Sequence, residues 1–262
     1  VEDLSPFTVA SITPVIVDPE TLYLILDVSA RFNSNLTTLT SDDLQGTITN
    51  TLTNFNNNSL KTFNSAFRHS QVIKLIDDSD TSITSNITKV VLGKFFTPTL
   101  NESVGYTISF NNVIFNPHAG HNANEGGVIA STGFKVSGDT VNEMFFDDDG
   151  NGNIRRFYIL SGEKKYVDNT AGTVNYGNGI LSLNPLTINQ VSDIDNTSST
   201  QIRITTVPDS VDIIPVRNQL LEIDLVNTVV NVAIDRLGVG DINTVNIADL
   251  ATSSFTKTVT GY

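Results

Sequence analysis

The sequence predicts an α+β fold: a strand–helix–helix–strand layer domain, an additional mostly-β module and a β-rich C-terminal segment. Three observations predict it. Residues 21–33, TLYLILDVSARFN, have Leu22, Leu24, Leu26, Val28, Ala30 and Phe32 on one face and Tyr23, Ile25, Asp27, Ser29 and Arg31 on the other, which turns polar towards the end, the period-two signature of a strand. Leu44, Ile48, Leu52, Phe55, Phe63 and Phe67 recur at spacings dominated by three and four, the apolar stripe of an amphipathic helix. Residues 101–199 show almost no helical period and carry Gly/Asn turn signals between short apolar runs, which reads as all-β.

Taken in order, the strand at 21–33 is followed by Thr40-Ser41-Asp42-Asp43, a helix start with a hydroxyl cap and acids in the first turn. The helix is expected over Asp43–Phe67, with Asn56-Asn57-Asn58 as a break within it. Its other face is Thr and Asn, mediocre helix formers, so tertiary packing must hold it. A second helix is expected over His69–Asp77, with Val72, Ile73, Leu75 and Ile76 inward, and a strand from about Thr84 to Pro98. Two helices on one face of a sheet make an α+β layer.

In the middle block, strands are expected at Tyr106–Phe115, Val128–Val136, Glu143–Phe146, Ile154–Leu160, Tyr166-Val167, Gly172–Tyr176 and Ile180–Leu183. The last block opens with QIRITTVP, a strand ended by Pro208, and continues with the apolar alternation of Leu220–Asp235 before a polar tail from Val239. The expected domains are residues 1–103, 104–199 (inserted or appended) and 200–262, the last completing the fold or an interface.

Composition narrows the function. The 262 residues carry a net charge of −13, only 16% charged side chains, 32 threonines, 29 asparagines and no cysteine. Disulfides, zinc-thiolate sites and thiol catalysis are thereby removed. An acidic chain repels phosphate, so neither nucleic acid nor an anionic membrane is an expected partner. No apolar run reaches the ~20 residues of a membrane span, and no signal peptide is expected. The first residue is not Met, so a piece of a longer protein is expected.

Few residues suggest chemistry. Asp147, Asp149, Asn151, Gly152 and Ile154 match the first eight positions of a calcium loop, with oxygen ligands at alternate places. The twelfth position is Tyr158 rather than the bidentate Glu, and the flanks read as strands, so a tight β-hairpin of turn residues is the stronger reading. His118 and His121, with Glu125 nearby, lie in a Gly-rich loop and lack the ligand set of a zinc site. His69 sits at a helix start, where a solvated or capping role is expected. Arg217 is either an ion-pair anchor or a solvated arginine at a strand entry. There is no nucleotide-binding glycine motif and no nucleophile elbow. No catalytic residue and no cofactor is expected.

The runs YLILDVSARFN (Tyr23–Asn33), FNSAFRHSQVIKLIDDSDTSITSN (Phe63–Asn86) and IIPVRNQLLEIDL (Ile213–Leu225) resemble the C-terminal part of the baseplate wedge protein of T-even-like contractile-tailed phages. The cyanophage and marine myovirus branch is the most similar, with baseplate J-like proteins as broader relatives. The resemblance is best over Thr21–Thr99, moderate over Phe145–Leu183 and good over Thr205–Asp235. It implies a virion structural protein, not an enzyme. That protein is assembled in the host cytoplasm and sits in the tail baseplate, where it links wedges into a ring around the tail hub. The implied partners are a second copy of the chain, as homodimer or ring, and other wedge proteins. Edge strands and the last block are expected to form the homotypic interface, with Arg217, Asn218 and Gln219 as its candidate residues. The alternative is a calcium-assisted carbohydrate- or cell-surface-binding β module of a tail fibre or adhesin, using Asp147–Asn153. A hydrolase would need two converging carboxylates, and no such pair stands out.

Overall fold

The alternation of residues 21–33 becomes β1 (Glu20–Phe32), and the six residues of its apolar face, Leu22, Leu24, Leu26, Val28, Ala30 and Phe32, are buried, with Ile25 half-buried on the other face. Full burial of each Leu, Val or Phe side chain among them is worth about 1.5–3 kcal/mol, which fixes the register of this strand at the centre of the core. A computed structural model describes residues 19–117 and 127–236. Its helices are α1 (Ser41–Phe55) and α2 (His69–Asp77), with a π-helical turn at Asn56–Leu60 continuing α1. The remaining strands are β2 (Ile83–Phe96), β3 (Ser103–Ser109), β4 (Ala130–Ser131), β5 (Phe134–Val136), β6 (Asp139–Asp148), β7 (Asn153–Leu160), β8 (Glu163–Asn175), β9 (Ile180–Val191), β10 (Ile202–Thr206), β11 (Gln219–Ile223) and β12 (Val229–Ile234).

The α+β layer class is overturned. The described residues form a mostly-β structure, in which one 12-stranded hydrogen-bonded sheet runs from β11 to β7. The middle strands extend the sheet of β1 and β2 rather than standing apart from it, because β10 pairs with β2 on one side and β4 on the other, and β4 pairs with β6. Strands β5, β6, β7, β8 and β9 then close on themselves, each paired with the next and β9 with β5, to make a barrel. Closure leaves no edge inside this ring. Phe134, Met144, Phe146, Ile154, Leu181 and Ile188 are buried in this part of the core, with the Phe134 and Phe146 rings 4.6 Å apart. The two helices were given too much weight in the sequence: they cover one stretch of sheet, and the rest of the apolar surface is buried strand against strand.

Helix α1 begins in a capping box. Thr40 accepts the Asp43 N–H through its hydroxyl, and the Asp43 carboxylate accepts the Thr40 N–H at 2.9 Å. Its buried residues are Leu44, Ile48, Leu52 and Phe55. The hydroxyls of Thr47, Thr49, Thr51 and Thr53 each donate to the carbonyl four residues earlier, so a threonine-rich face satisfies itself locally. The helix expected to reach Phe67 stops short. Phe63 is 57% exposed, and Phe67 is buried in a bridge with Ile213. Helix α2 has the expected bounds, with Val72 and Ile76 buried.

Strands β11 and β12 run parallel to β1 along the edge opposite β2. β11 pairs with Glu20–Leu24 and β12 with Asp27–Phe32. The residues between them leave the sheet in a turn organised by Asp224, whose carboxylate accepts the N–H groups of Val226 and Asn227 and the Asn227 side chain. Thr228 bridges the gap by accepting the Leu26 N–H at 3.1 Å.

Candidate functional site

Two places in the fold bear on function: the acidic hairpin between β6 and β7, and the edge formed by β11 and β12.

The hairpin pairs Asp147 with Arg155 directly across the two strands. Asp147, 2% exposed, accepts from Arg155 Nε at 3.0 Å, Arg155 Nη2 at 3.2 Å, Lys164 Nζ at 2.8 Å and the Tyr166 hydroxyl at 2.9 Å. Three adjacent strands thus meet on one carboxylate. The Arg155 guanidinium also lies 4.3 Å from the Tyr166 ring centroid, a favourable cation–π contact. Burial, then the hydrogen bond to Asp147, pushes the Tyr166 hydroxyl up to about 12. Asp148, fully buried, accepts the Ile129 N–H at 2.8 Å and the Tyr176 hydroxyl at 2.6 Å. Burial and that bond raise the Tyr176 hydroxyl well above its usual range.

Asp149 organises the turn. Its Oδ1 accepts the N–H groups of Asn151 and Asn153, and its Oδ2 accepts the Asn153 side chain at 2.6 Å. Burial pushes its carboxyl up, but the hydrogen bonds from Asn153 and Asn151 and the Arg155 charge outweigh that and hold it below the usual carboxylate value. Asn151 donates to the Asp149 carbonyl at 3.4 Å. The candidate ligands Asp147, Asp149 and Asn151 are therefore near in sequence but engaged with different partners. Among the described residues, no three His, Asp or Glu side chains gather in a way that could hold a metal ion. His118, His121 and Glu125 lie outside the described residues. His69 bonds the Thr88 carbonyl at 2.7 Å through its ring, and its backbone N–H donates to Asp212.

The residues at the start of β11 differ among themselves. Arg217 and Asn218 are exposed. Gln219 is fully buried, donating from Nε2 to the Phe110 carbonyl at 3.2 Å. Further along, the edge of β11 is closed by a side chain: Asn56 accepts the Ile223 N–H at 2.8 Å and donates to the Ile223 carbonyl at 3.4 Å. Lys61 forms an ion pair with Glu222 beside it. β12 has no such cover among the described residues, where its only strand partner is β1.

Sequence reasoning missed the roles of Arg155, Lys164, Tyr166, Tyr176 and Asn56. The eight-residue spacing of Asp147 and Arg155 across a turn was a usable signal, since it makes them opposite residues of a hairpin. Nothing local pointed from Asn56 to Ile223.

No curated protein matches the chain. Residues 20–94, from the first residue of β1 through both helices to near the end of β2, match the family model described as baseplate structural protein gp6, C-terminal domain III. Over that segment the chain is similar to a structural protein of the phage tail baseplate, and the resemblance to the baseplate wedge protein of contractile-tailed phages holds there.

Proposed function

We propose that this chain is a baseplate wedge component that links wedges into a ring around the tail hub by gripping a second copy of itself and neighbouring wedge proteins. The observation that carries the reading is the family match over the strand–helix–helix–strand unit of residues 20–94. The chain works by contact rather than by transforming a molecule. Its threonine- and asparagine-rich surface suits that work. Hydrogen bonds at such a surface exchange with water at a net cost of only about 0.5–1.5 kcal/mol each. Contacts of that kind can rearrange while the baseplate changes shape. Arg217 and Asn218 open the β11–β12 edge and belong to the proposed contact; the buried side chain of Gln219 does not.

The test uses virions of the phage that encodes the chain. Antibodies against the chain should decorate the baseplate end of the tail, and cross-linking of intact virions should recover links between copies of the chain and links to other baseplate proteins. Decoration of fibre tips instead would overturn the reading.

A further inference from the structure

We propose that Asn151 is a site of spontaneous covalent modification in the folded protein: its side chain closes onto the Gly152 nitrogen and is converted to aspartate and isoaspartate, whereas the chemically identical pair Asn178–Gly179 is protected by the fold. The inference is independent of the baseplate reading and needs no partner.

The sequence holds two asparagine–glycine pairs, Asn151-Gly152 and Asn178-Gly179. Such pairs are the most open to this reaction, because glycine has no Cβ to shield its nitrogen and its backbone turns freely. The Gly152 nitrogen gives its proton to water and bonds to the Asn151 Cγ. The bond from Cγ to Nδ2 breaks, and Nδ2 leaves as ammonia with a proton from water. One water molecule then opens the five-membered imide. Opening at Cγ gives aspartate. Opening at the Asn151 backbone carbonyl carbon gives isoaspartate, with the chain rerouted through the side chain. One water is consumed and one ammonia released, with no oxidant and no cofactor.

The carboxamide must be free to swing onto the next nitrogen, and that nitrogen must be available. At Asn178 neither condition is met. Its Oδ1 accepts the Ile180 N–H at 3.1 Å, the Gly179 N–H donates to the Asn175 carbonyl at 2.9 Å, and the Gly179 carbonyl accepts the Phe110 N–H at 2.9 Å. A Cβ at Gly179 would stand 2.0 Å from the Asn112 carbonyl oxygen, so the backbone has no room to turn there.

At Asn151 both conditions are met. The residue is exposed. Among the described residues its side chain makes a single hydrogen bond, from Nδ2 to the Asp149 carbonyl at 3.4 Å, long for a bond of this kind. The Gly152 N–H donates to no carbonyl among the described residues and faces the Tyr176 hydroxyl oxygen instead. A Cβ at Gly152 would meet only the Val174 carbonyl oxygen, at 3.6 Å, so this backbone is not wedged in place. Both residues border a cleft of about 550 Å³ that Asn116, Asn175 and Gly177 also line. The cleft admits the water and leaves room for the ring. The firm bond at this residue, from the Asn151 N–H to Asp149 Oδ1 at 2.7 Å, fixes the backbone before the Cα and holds neither the side chain nor the nitrogen that follows. The product sets a second carboxylate beside Asp149, and as isoaspartate it adds a methylene to the chain inside the β6–β7 turn.

The test incubates the full-length protein at neutral pH, folded and in urea. Conversion at each asparagine is followed by tandem mass spectrometry of proteolytic peptides, with enzymatic methylation of isoaspartate as a second readout. In the folded protein Asn151 should gain the mass of an amide-to-acid exchange first. Asn178 should lag by on the order of tenfold or more, because its hydrogen bonds must open before it reacts. In urea the two rates should converge. Asn151→Gln should abolish the early mass gain and leave the circular dichroism spectrum and the rate at Asn178 unchanged. Equal rates at the two sites in the folded protein, or a faster Asn178, would overturn the proposal. An Asn151 that converts only in urea would show that the Asp149 turn protects it, and would overturn the proposal as well.

Discussion

The Asn56 carboxamide holds both backbone groups of Ile223, 167 residues away, accepting the N–H at 2.8 Å and donating to the carbonyl at 3.4 Å. Asn56 is 1% exposed and stands where α1 passes into its π-helical turn. A carboxamide presents one donor and one acceptor side by side, as a peptide does. Here it takes the place of a further strand at the outer edge of β11. The helix changes its winding at the residue that has this tertiary duty.

Asn56→Ala should therefore do more than remove a surface asparagine. A buried N–H and a buried carbonyl would lose their partners, at about 1–3 kcal/mol for each group left unsatisfied. Urea denaturation should show a stability loss in that range, and the Ile223 amide should exchange faster with solvent. Asn57→Ala, at an exposed neighbour in the same turn, should do neither.

Asp147 should be the most sensitive carboxylate in the barrel. Its removal in Asp147→Ala leaves Arg155, 6% exposed at its side chain, without the carboxylate that neutralises it. Breaking a buried pair from one side costs about 3–5 kcal/mol. A loss under 1 kcal/mol in chemical denaturation would mean that water reaches this cluster freely.

Calcium should leave the protein's melting temperature unchanged. Every oxygen of Asp147 and Asp149 already accepts a hydrogen bond inside the protein, and two cationic side chains stand against Asp147. A bound ion would have to displace them. A calcium-dependent rise of several degrees in differential scanning calorimetry would show that the hairpin rearranges to admit one.

Some of this was legible in the sequence, and the division follows the range of the interactions. β1 was legible because one face carries an apolar residue at every second position from Leu22 to Phe32, and α2 because its pattern ends where its packing ends. The end of α1 was not, because Asn56 answers to Ile223 rather than to its neighbours. The stretch 128–136 read as one strand yet forms β4 and β5, with the Ser131 hydroxyl accepting the Phe146 N–H and Gly133 lying against the Glu143 side chain. Barrel closure and the parallel pairing of β11 and β12 with β1 join residues far apart in the chain, and period alone is blind to them. The fold class failed for that reason. At the hairpin the turn chemistry of Asp149 and Asn153 was legible, whereas the ion-pair partners on β8 depended on the strand order.

Two glycines should respond to alanine in opposite directions. Gly179 has a φ of +65°, and a Cβ there would stand 2.0 Å from the Asn112 carbonyl oxygen. Backbone, not a flexible side chain, is in the way, so Gly179→Ala combines strain of about 1–3 kcal/mol with a clash, and soluble expression should fall. Gly46 lies in the middle of α1 with nothing within 4 Å of its would-be Cβ. Gly46→Ala should stabilise the protein by about 0.5–1 kcal/mol, the helix-interior difference between the two residues. Denaturation midpoints moving the same way for both would contradict this account of the two sites.

Alkaline pH should weaken the barrel through its tyrosines. Tyr166 is held protonated by burial and by its hydrogen bond to Asp147, moving its hydroxyl from 10.0 to about 12. The folded state thus binds this proton more tightly than the unfolded state. The resulting stability is fully present below about pH 10 and is lost as pH rises through about 12. Tyr176, raised in the same direction by burial and Asp148, adds to the slope. Urea midpoints measured from neutral pH to about pH 12 should therefore fall more steeply for the native protein than for Tyr166→Phe, which has no proton to lose and starts from a lower plateau because the Asp147 bond is gone. Parallel curves would show that Tyr166 ionises as freely in the folded chain as in the unfolded one, and the three-strand junction at Asp147 would then be open to solvent.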